Sequence, residues 1–226
     1  FIDCFDTTSF FIEIFDTPIA NQPTNVNICD DNNDGLFMFD FTVDVDAQVL
    51  DTQNSSIFSV HYFESQIDAD NNTNEIVMPY QNIDNPQEIF VRIENNSFTD
   101  CFDTTSFFIE VFDTPTANQP TNIIICDDDN DGLFIFDFTV DVNAQVLGSQ
   151  EPSTFGIHYF EYQADADNFV NEITMPYQNI SNPQEIFVLI HNNGNETCFD
   201  TTSFFIEIFD TPTITPFTDY QFCDDT

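Results

Sequence analysis

Two short acidic stretches carry the sharpest chemistry in this chain. Asp30, Asn32 and Asp34 precede Gly35, and Asp127, Asp129 and Asp131 precede Gly132; both fit D-x-[DN]-x-D-G, with Asp31 and Asp128 as extra oxygens. Alternate positions put oxygens on one side of a tight loop, and the glycine permits the left-handed turn that aims carbonyls inward, an arrangement suited to a hard cation such as Ca2+. The pattern is only the first half of a calcium loop, because the twelfth residue is Phe41 or Phe138 rather than a bidentate Glu. A solvated acidic turn is the simpler alternative. A second cluster, DADN at 68–71 and 165–168, reads as a polar loop.

Six cysteines form the next set. Their even number and regular placement argue for disulfides and an extracellular location. Two repeating patterns are open. Cys29 with Cys101 and Cys126 with Cys198 would close each domain on itself and is the favoured pattern; Cys4 with Cys29, Cys101 with Cys126 and Cys198 with Cys223 would staple the joints instead. Either kind of bridge is worth about 3–4 kcal/mol through lost unfolded-state entropy. No CxxC spacing points to zinc.

His61 and His158 are equivalent surface-strand histidines without a nucleophile partner, and His191 has no counterpart. Carboxylates are too common for any pair to signal an acid and a base. Neither a nucleophile elbow, a phosphate loop nor a dinucleotide fingerprint is present. The expectation is that the chain is no enzyme.

What positions these residues is a repeat. CFDTTSFFIE begins at Cys4, Cys101 and Cys198, and CDD begins at Cys29, Cys126 and Cys223, each 97 residues apart. About three quarters of positions 1–97 are identical to 98–194. The expected division is 1–18 as the last strand of a preceding repeat, 19–115 and 116–212 as complete repeats, and 213–226 as the first strand of a following one, with Pro-bearing joints at FDTPIANQP, FDTPTANQP and FDTPTITP. Phe1 then reads as a cut inside a longer polypeptide.

Within a unit the hydrophobic period is two. In LFMFDFTVDV (36–45), Phe37, Phe39, Phe41, Val43 and Val45 share one face of an expected strand; IFSVHYF (57–63), EIVMPY (75–80), QEIFVRIE (87–94) and TTSFFIEVF (104–112) follow. Only DAQVL (46–50) and SQIDADNN (65–72) could form a helical turn. The fold class expected is all-β: tandem antiparallel β-sandwich repeats, immunoglobulin-like, of 97 residues, strung as a rod. Phe63 and Phe90 fall off the inward faces, so both sides of the sheet are apolar, which suits contact between domains or chains.

The net charge of −40, from 41 Asp plus Glu against a single Lys or Arg, excludes nucleic acid as a partner. Apolar runs fall short of the roughly 20 residues of a spanning helix, so no membrane insertion is expected. With 41% hydrophobic residues and 29 Phe, the chain is too apolar to be a disordered acidic tail.

The order CDDNNDG, FDFT, AQVL, HYFES, DADN, NEI, PYQN, NPQEIFVRIEN and CFDTTSFFIEIFDTP resembles the tandem repeats of very large surface proteins exported by Bacteroidota, flavobacteria especially, including cargo of the type IX secretion system and gliding or adhesion proteins. The resemblance covers essentially the whole unit. It implies β-sandwich repeats, calcium and display at the cell surface, and no catalytic activity. Leu189 and His191 replace Arg92 and Glu94 in the second unit, which suggests an exposed strand under little chemical demand. DTT at 6–8, 103–105 and 200–202 resembles the bacteroidetal O-glycosylation acceptor, which would place sugar on Thr7, Thr104 and Thr201.

The resulting expectation is the structural repeat region of a secreted fibre, filament or adhesin stalk, stiffened by calcium and disulfides, whose partners are copies of itself and possible surface glycans. The alternative is a repeated glycan- or ligand-binding module, in which exposed Tyr62, Tyr80, Tyr159 and Tyr177 would stack on sugars.

Overall fold

The computed structural model describes residues 4–216, 219, 221 and 223. The chain divides into two compact units between Asp113 and Thr114.

In the first unit the order is β1 (Val26–Asp30), β2 (Met38–Phe39), α1 (Asp44–Leu50), β3 (Phe58–Phe63), α2 (Gln66–Asn71), β4 (Tyr80–Gln81), β5 (Gln87–Asn95) and β6 (Phe98–Asp113). The second unit repeats it as β7 (Ile123–Asp127), β8 (Ile135–Phe136), α3 (Asp141–Leu147), β9 (Phe155–Phe160), α4 (Gln163–Asn168), β10 (Tyr177–Gln178), β11 (Gln184–Asn192) and β12 (Asn195–Asp210). Each is a sheet-rich domain: four strands in the order β1-β6-β5-β3, and a two-stranded ribbon of β2 and β4. The sheet is antiparallel except at one edge, where β1 runs parallel to β6 with Cys29 opposite Phe112.

Alternation in β3, β5 and β6 behaves as expected. Ile89, Val91, Ile93, Phe107 and Ile109 all turn to the core and are essentially fully buried. Across from them lie Phe39, Phe41, Val45 and Val49. The segment 36–45 does not form the long strand its period of two suggests. Only Met38 and Phe39 pair; the chain then turns into α1, which places Val45 and Val49 on one helical face and has Asp44 and Asp46 in its first turn, where the helix dipole favours negative charge. Val43, counted on the inward face, is exposed. EIVMPY likewise contributes only Tyr80 to a strand.

The second apolar face of the sheet is roofed by the short helix α2 or α4. Phe63 and Ala69 are buried completely in one unit, and Phe160, Ala166 and Leu189 pack as a separate cluster in the other. QEIFVRIE is therefore a central strand covered on both faces rather than an exposed one.

The described residues of 1–18 form no strand. A strand needs the neighbours that β5 and β1 supply to β6; Phe10, Ile12 and Ile14 lie exposed where their equivalents Phe107, Ile109 and Val111 are buried. Residues 1–3 and much of the strand expected over 213–226 lie outside the described residues. No helix among the described residues is long and apolar enough to cross a membrane.

Candidate functional site

The acidic loop is built by turn chemistry and pinned from below. In the first repeat Asp30, at the end of β1 and buried, accepts the Gly35 N–H at 2.7 Å and the Asn32 N–H at 3.1 Å. Asn32 accepts from the Asp34 N–H, and Asp34 from the Leu36 N–H. Gly35 and Gly132 take φ of 74° and 76°, the left-handed conformation the motif anticipates. Beneath the loop, buried Asn82 accepts the Phe37 N–H at 2.7 Å and donates to Gly35 O at 2.9 Å. Asn179 does the same for Phe134 and Gly132. These asparagines, 45 residues downstream of what they hold, are the parts of the site that local spacing does not reveal.

In the second repeat the carboxylates of Asp127, Asp129 and Asp131 each offer an oxygen within 4.8 Å of the others. The Gly132 N–H holds the Asp127 carboxyl below its ordinary range, while the hydrogen bond to Asp127 and the neighbouring charge of Asp131 push Asp129 up. Crowded negative charge of this kind is relieved by a cation. The loop is also tied to the segment leaving the domain, because the Thr211 N–H donates to Asp127 O and to Asn130 Oδ1. In the first repeat Asn32 replaces the middle carboxylate and donates to Asp34 at 3.1 Å, so that loop carries one charge fewer at this position. The DADN clusters are helical and structural. Asp68 accepts from Ser65, Thr73 and Asn74.

The cysteines correct the expected pairings. Cys29 and Cys198 are disulfide-bonded, whereas Cys4, Cys101, Cys126 and Cys223 carry free thiols, so neither repeating pattern is present. Strand length explains why no domain closes on itself. Cys29 lies opposite Phe112, and Cys101 sits eleven residues back along the same continuous strand, roughly 36 Å away at ~3.3 Å per residue. A disulfide tolerates at most about 7 Å between Cα atoms. Cys126, opposite Phe209, and Cys198 are related in the same way. Each domain thus holds one cysteine at each pole.

The remaining predicted residues divide. Thr7 is exposed; Thr104 and Thr201 stand half-buried in mid-strand, their hydroxyls accepting from the Gln66 and Gln163 amides. Of the tyrosines expected to be exposed, Tyr62 and Tyr159 are buried at 3%, Tyr177 at 9%, and Tyr80 is half-buried. Their hydroxyls are engaged, Tyr62 donating to Asp46 and Tyr80 to Glu64. None of these four tyrosines presents an open ring face for stacking.

His61 bonds Glu75 at 2.7 Å and lies 3.6 Å from Glu94. His191, in place of Glu94, is buried and meets His158 with an Nε2 to Nε2 distance of 3.0 Å.

Among solved structures the chain is similar to the titin domains I67–I69, at 10% identity and a TM-score of 0.32 over 84% of this chain and 64% of that one. It is also similar to the tandem Ig repeats of Drosophila Dlar (8%, TM-score 0.23, 84% and 96%) and to protocadherin gamma B2 cadherin domains 1–5 (17%, TM-score 0.24, 87% and 40%). No curated protein matches. The model of one domain family fits twice, over residues 25–115 and 122–212, which together span most of the chain, and the chain belongs to that family, the Flavobacterium inter-domain disulphide bond domain.

Proposed function

We propose that this chain is part of a secreted, cell-surface structural array, a fibre or adhesin stalk in which successive repeats are joined covalently by disulfides and ordered by calcium. The observation carrying this reading is the placement of cysteines at opposite poles of each domain, about 36 Å apart on the strand estimate, where bonding can only be to a cysteine outside that domain. The family's description, an inter-domain disulfide, accords with it. Cys29 and Cys198 are both disulfide-bonded, and the proposed rule is that the cysteine ending the first strand of one repeat bridges to the cysteine early in the long last strand of the next. The remaining four thiols would take partners by the same rule. Non-reducing peptide mapping is expected to recover a peptide joining Cys29 to Cys198. A peptide joining Cys29 to Cys101 would overturn the proposal.

Calcium belongs to the same proposal, with Asp127, Asp129 and Asp131, and more weakly Asp30, Asn32 and Asp34, supplying the oxygens. Saturating Ca2+ at about 100 times its Kd should stabilise by about 2.7 kcal/mol. Chelator should reverse the rise in melting temperature, and Asp131→Asn should abolish most of it; a melting temperature indifferent to both would sink the calcium assignment. The output of such an array is span and display rather than catalysis. Sugar on exposed Thr7 and export by the type IX route fit the same reading.

A further inference from the structure

Repeats that agree at about three quarters of positions differ together at one place. Ser59, Asn72, Arg92 and Glu94 of the first repeat become Gly156, Phe169, Leu189 and His191 in the second. In the first repeat Asn72, Arg92 and Glu94 build an ionic cluster: Arg92 pairs with Glu94 at 2.6 Å, and the Asn72 amide donates to the same carboxylate. In the second they build a histidine pair. His158 on β9 and His191 on β11 face each other diagonally across adjacent antiparallel strands, His158 opposite Leu189 and His191 opposite Gly156.

The Nδ1 hydrogens of both rings are oriented from outside the pair. His158 Nδ1 lies 2.7 Å from the Glu172 carboxylate, and His191 Nδ1 lies 3.0 Å from Asn192 O. Both partners only accept, so both Nδ1 atoms carry a hydrogen, and the two Nε2 atoms, 3.0 Å apart, share one occupant: a proton that one ring donates to the other, or a metal ion that both ligate. A carboxylate or carbonyl behind each ring is the outer support found at metal-ligating histidines.

The surroundings suit an ion. An ion about 2.05 Å from each nitrogen subtends an angle of roughly 95°, close to the right angle that tetragonal Cu(II) and Ni(II) sites use between neighbouring ligands. The ring centroids are 5.0 Å apart, and the rings are inclined by 26°. Gly156 leaves the space, because a Cβ there would stand 2.6 Å from His191 Nε2. Phe169 closes one side, 4.6 Å from the His158 ring and 5.3 Å from that of His191. It does so at φ 51°, a left-handed conformation a phenylalanine rarely adopts. His158 keeps 24% of its side chain exposed, which leaves a path from solvent.

We propose that His158 and His191 bind a divalent transition-metal ion of the imidazole-preferring class, Cu(II) or Ni(II), through their Nε2 atoms, with water completing the coordination. The first repeat, with His61 against two carboxylates, has no such site.

The test uses the full chain with its free thiols alkylated and excess Ca2+ present to occupy the carboxylate loops. Titration with Cu(II), followed by electron paramagnetic resonance, should show one equivalent coupled to two imidazole nitrogens. His191→Gln and His158→Gln should each remove that equivalent while unfolding at the parent's temperature without copper. Glu172→Gln should weaken it by about 10- to 100-fold. Copper with no nitrogen coupling, or with a signal indifferent to the two histidine variants, would overturn the proposal and leave a shared proton as the occupant of the gap.

Discussion

Replacing Arg92 by alanine should destabilise the first repeat by about 3–5 kcal/mol, the cost of removing one partner of a buried ion pair. Arg92 is 3% exposed, deep under α2. Its Nε bonds Glu94 at 2.6 Å, Nη1 donates to Ala69 O and Asp70 O, and Nη2 donates to Thr99 O at 2.5 Å. The guanidinium also lies 3.5 Å over the Phe102 ring. Alanine would leave the buried Glu94 carboxylate and three carbonyls without this donor. The second repeat shows how the same position is filled without an ion pair. Arg92→Leu alone should therefore be as damaging as alanine, whereas Arg92→Leu combined with Glu94→His, Ser59→Gly and Asn72→Phe should restore most of the loss. Hydrogen exchange of the β5 amides against those of β11 distinguishes the two repeats; protection of β5 unchanged in Arg92→Ala would refute the argument.

Phe138→Ala carries the other large effect, about 3–5 kcal/mol against the second repeat. Phe138 is fully buried and meets Phe204 edge-on at 5.2 Å, Tyr159 at 5.3 Å and Phe136 at 5.7 Å. Truncation empties the junction between the ribbon and the sheet, and rings held by neighbouring strands collapse into it only partly. Phe138→Leu should cost far less, while Val140→Ser, two residues on at a site 73% exposed, should change little. Denaturant midpoints of the three variants check the order; equal losses for Phe138→Ala and Val140→Ser would show that the core has been misplaced.

The contrast between those two positions marks how far the sequence could be read. Phe138 and Val140 belong to the same alternating run, and alternation alone assigns both to the core. The run breaks because a valine pair four residues apart, Val142 and Val146, buries equally well on a helix, which the acidic first turn favours. The period therefore identified the strands that pair over long stretches, β3, β5 and β6, and failed where only two residues pair. The acidic loops were legible because turn chemistry is local. Asn82 and Asn179, which hold them from beneath, were not, since their role depends on strand order. Cysteine spacing could not reveal that one strand of 16 residues separates the two cysteines of a domain. Nor could the Arg92 and His191 positions be interpreted before β5 and β11 were found to be central strands.

The parallel edge has a mechanical meaning. The chain reaches a domain through β1 and leaves it through β6, and these two strands are side by side and run the same way. Tension applied at the two ends of a domain therefore drags β1 and β6 in opposite directions along their common axis. Their cross-strand hydrogen bonds lie across that axis and bear the load together rather than opening one after another. Such a shear clasp turns many individually weak bonds into a single yield point.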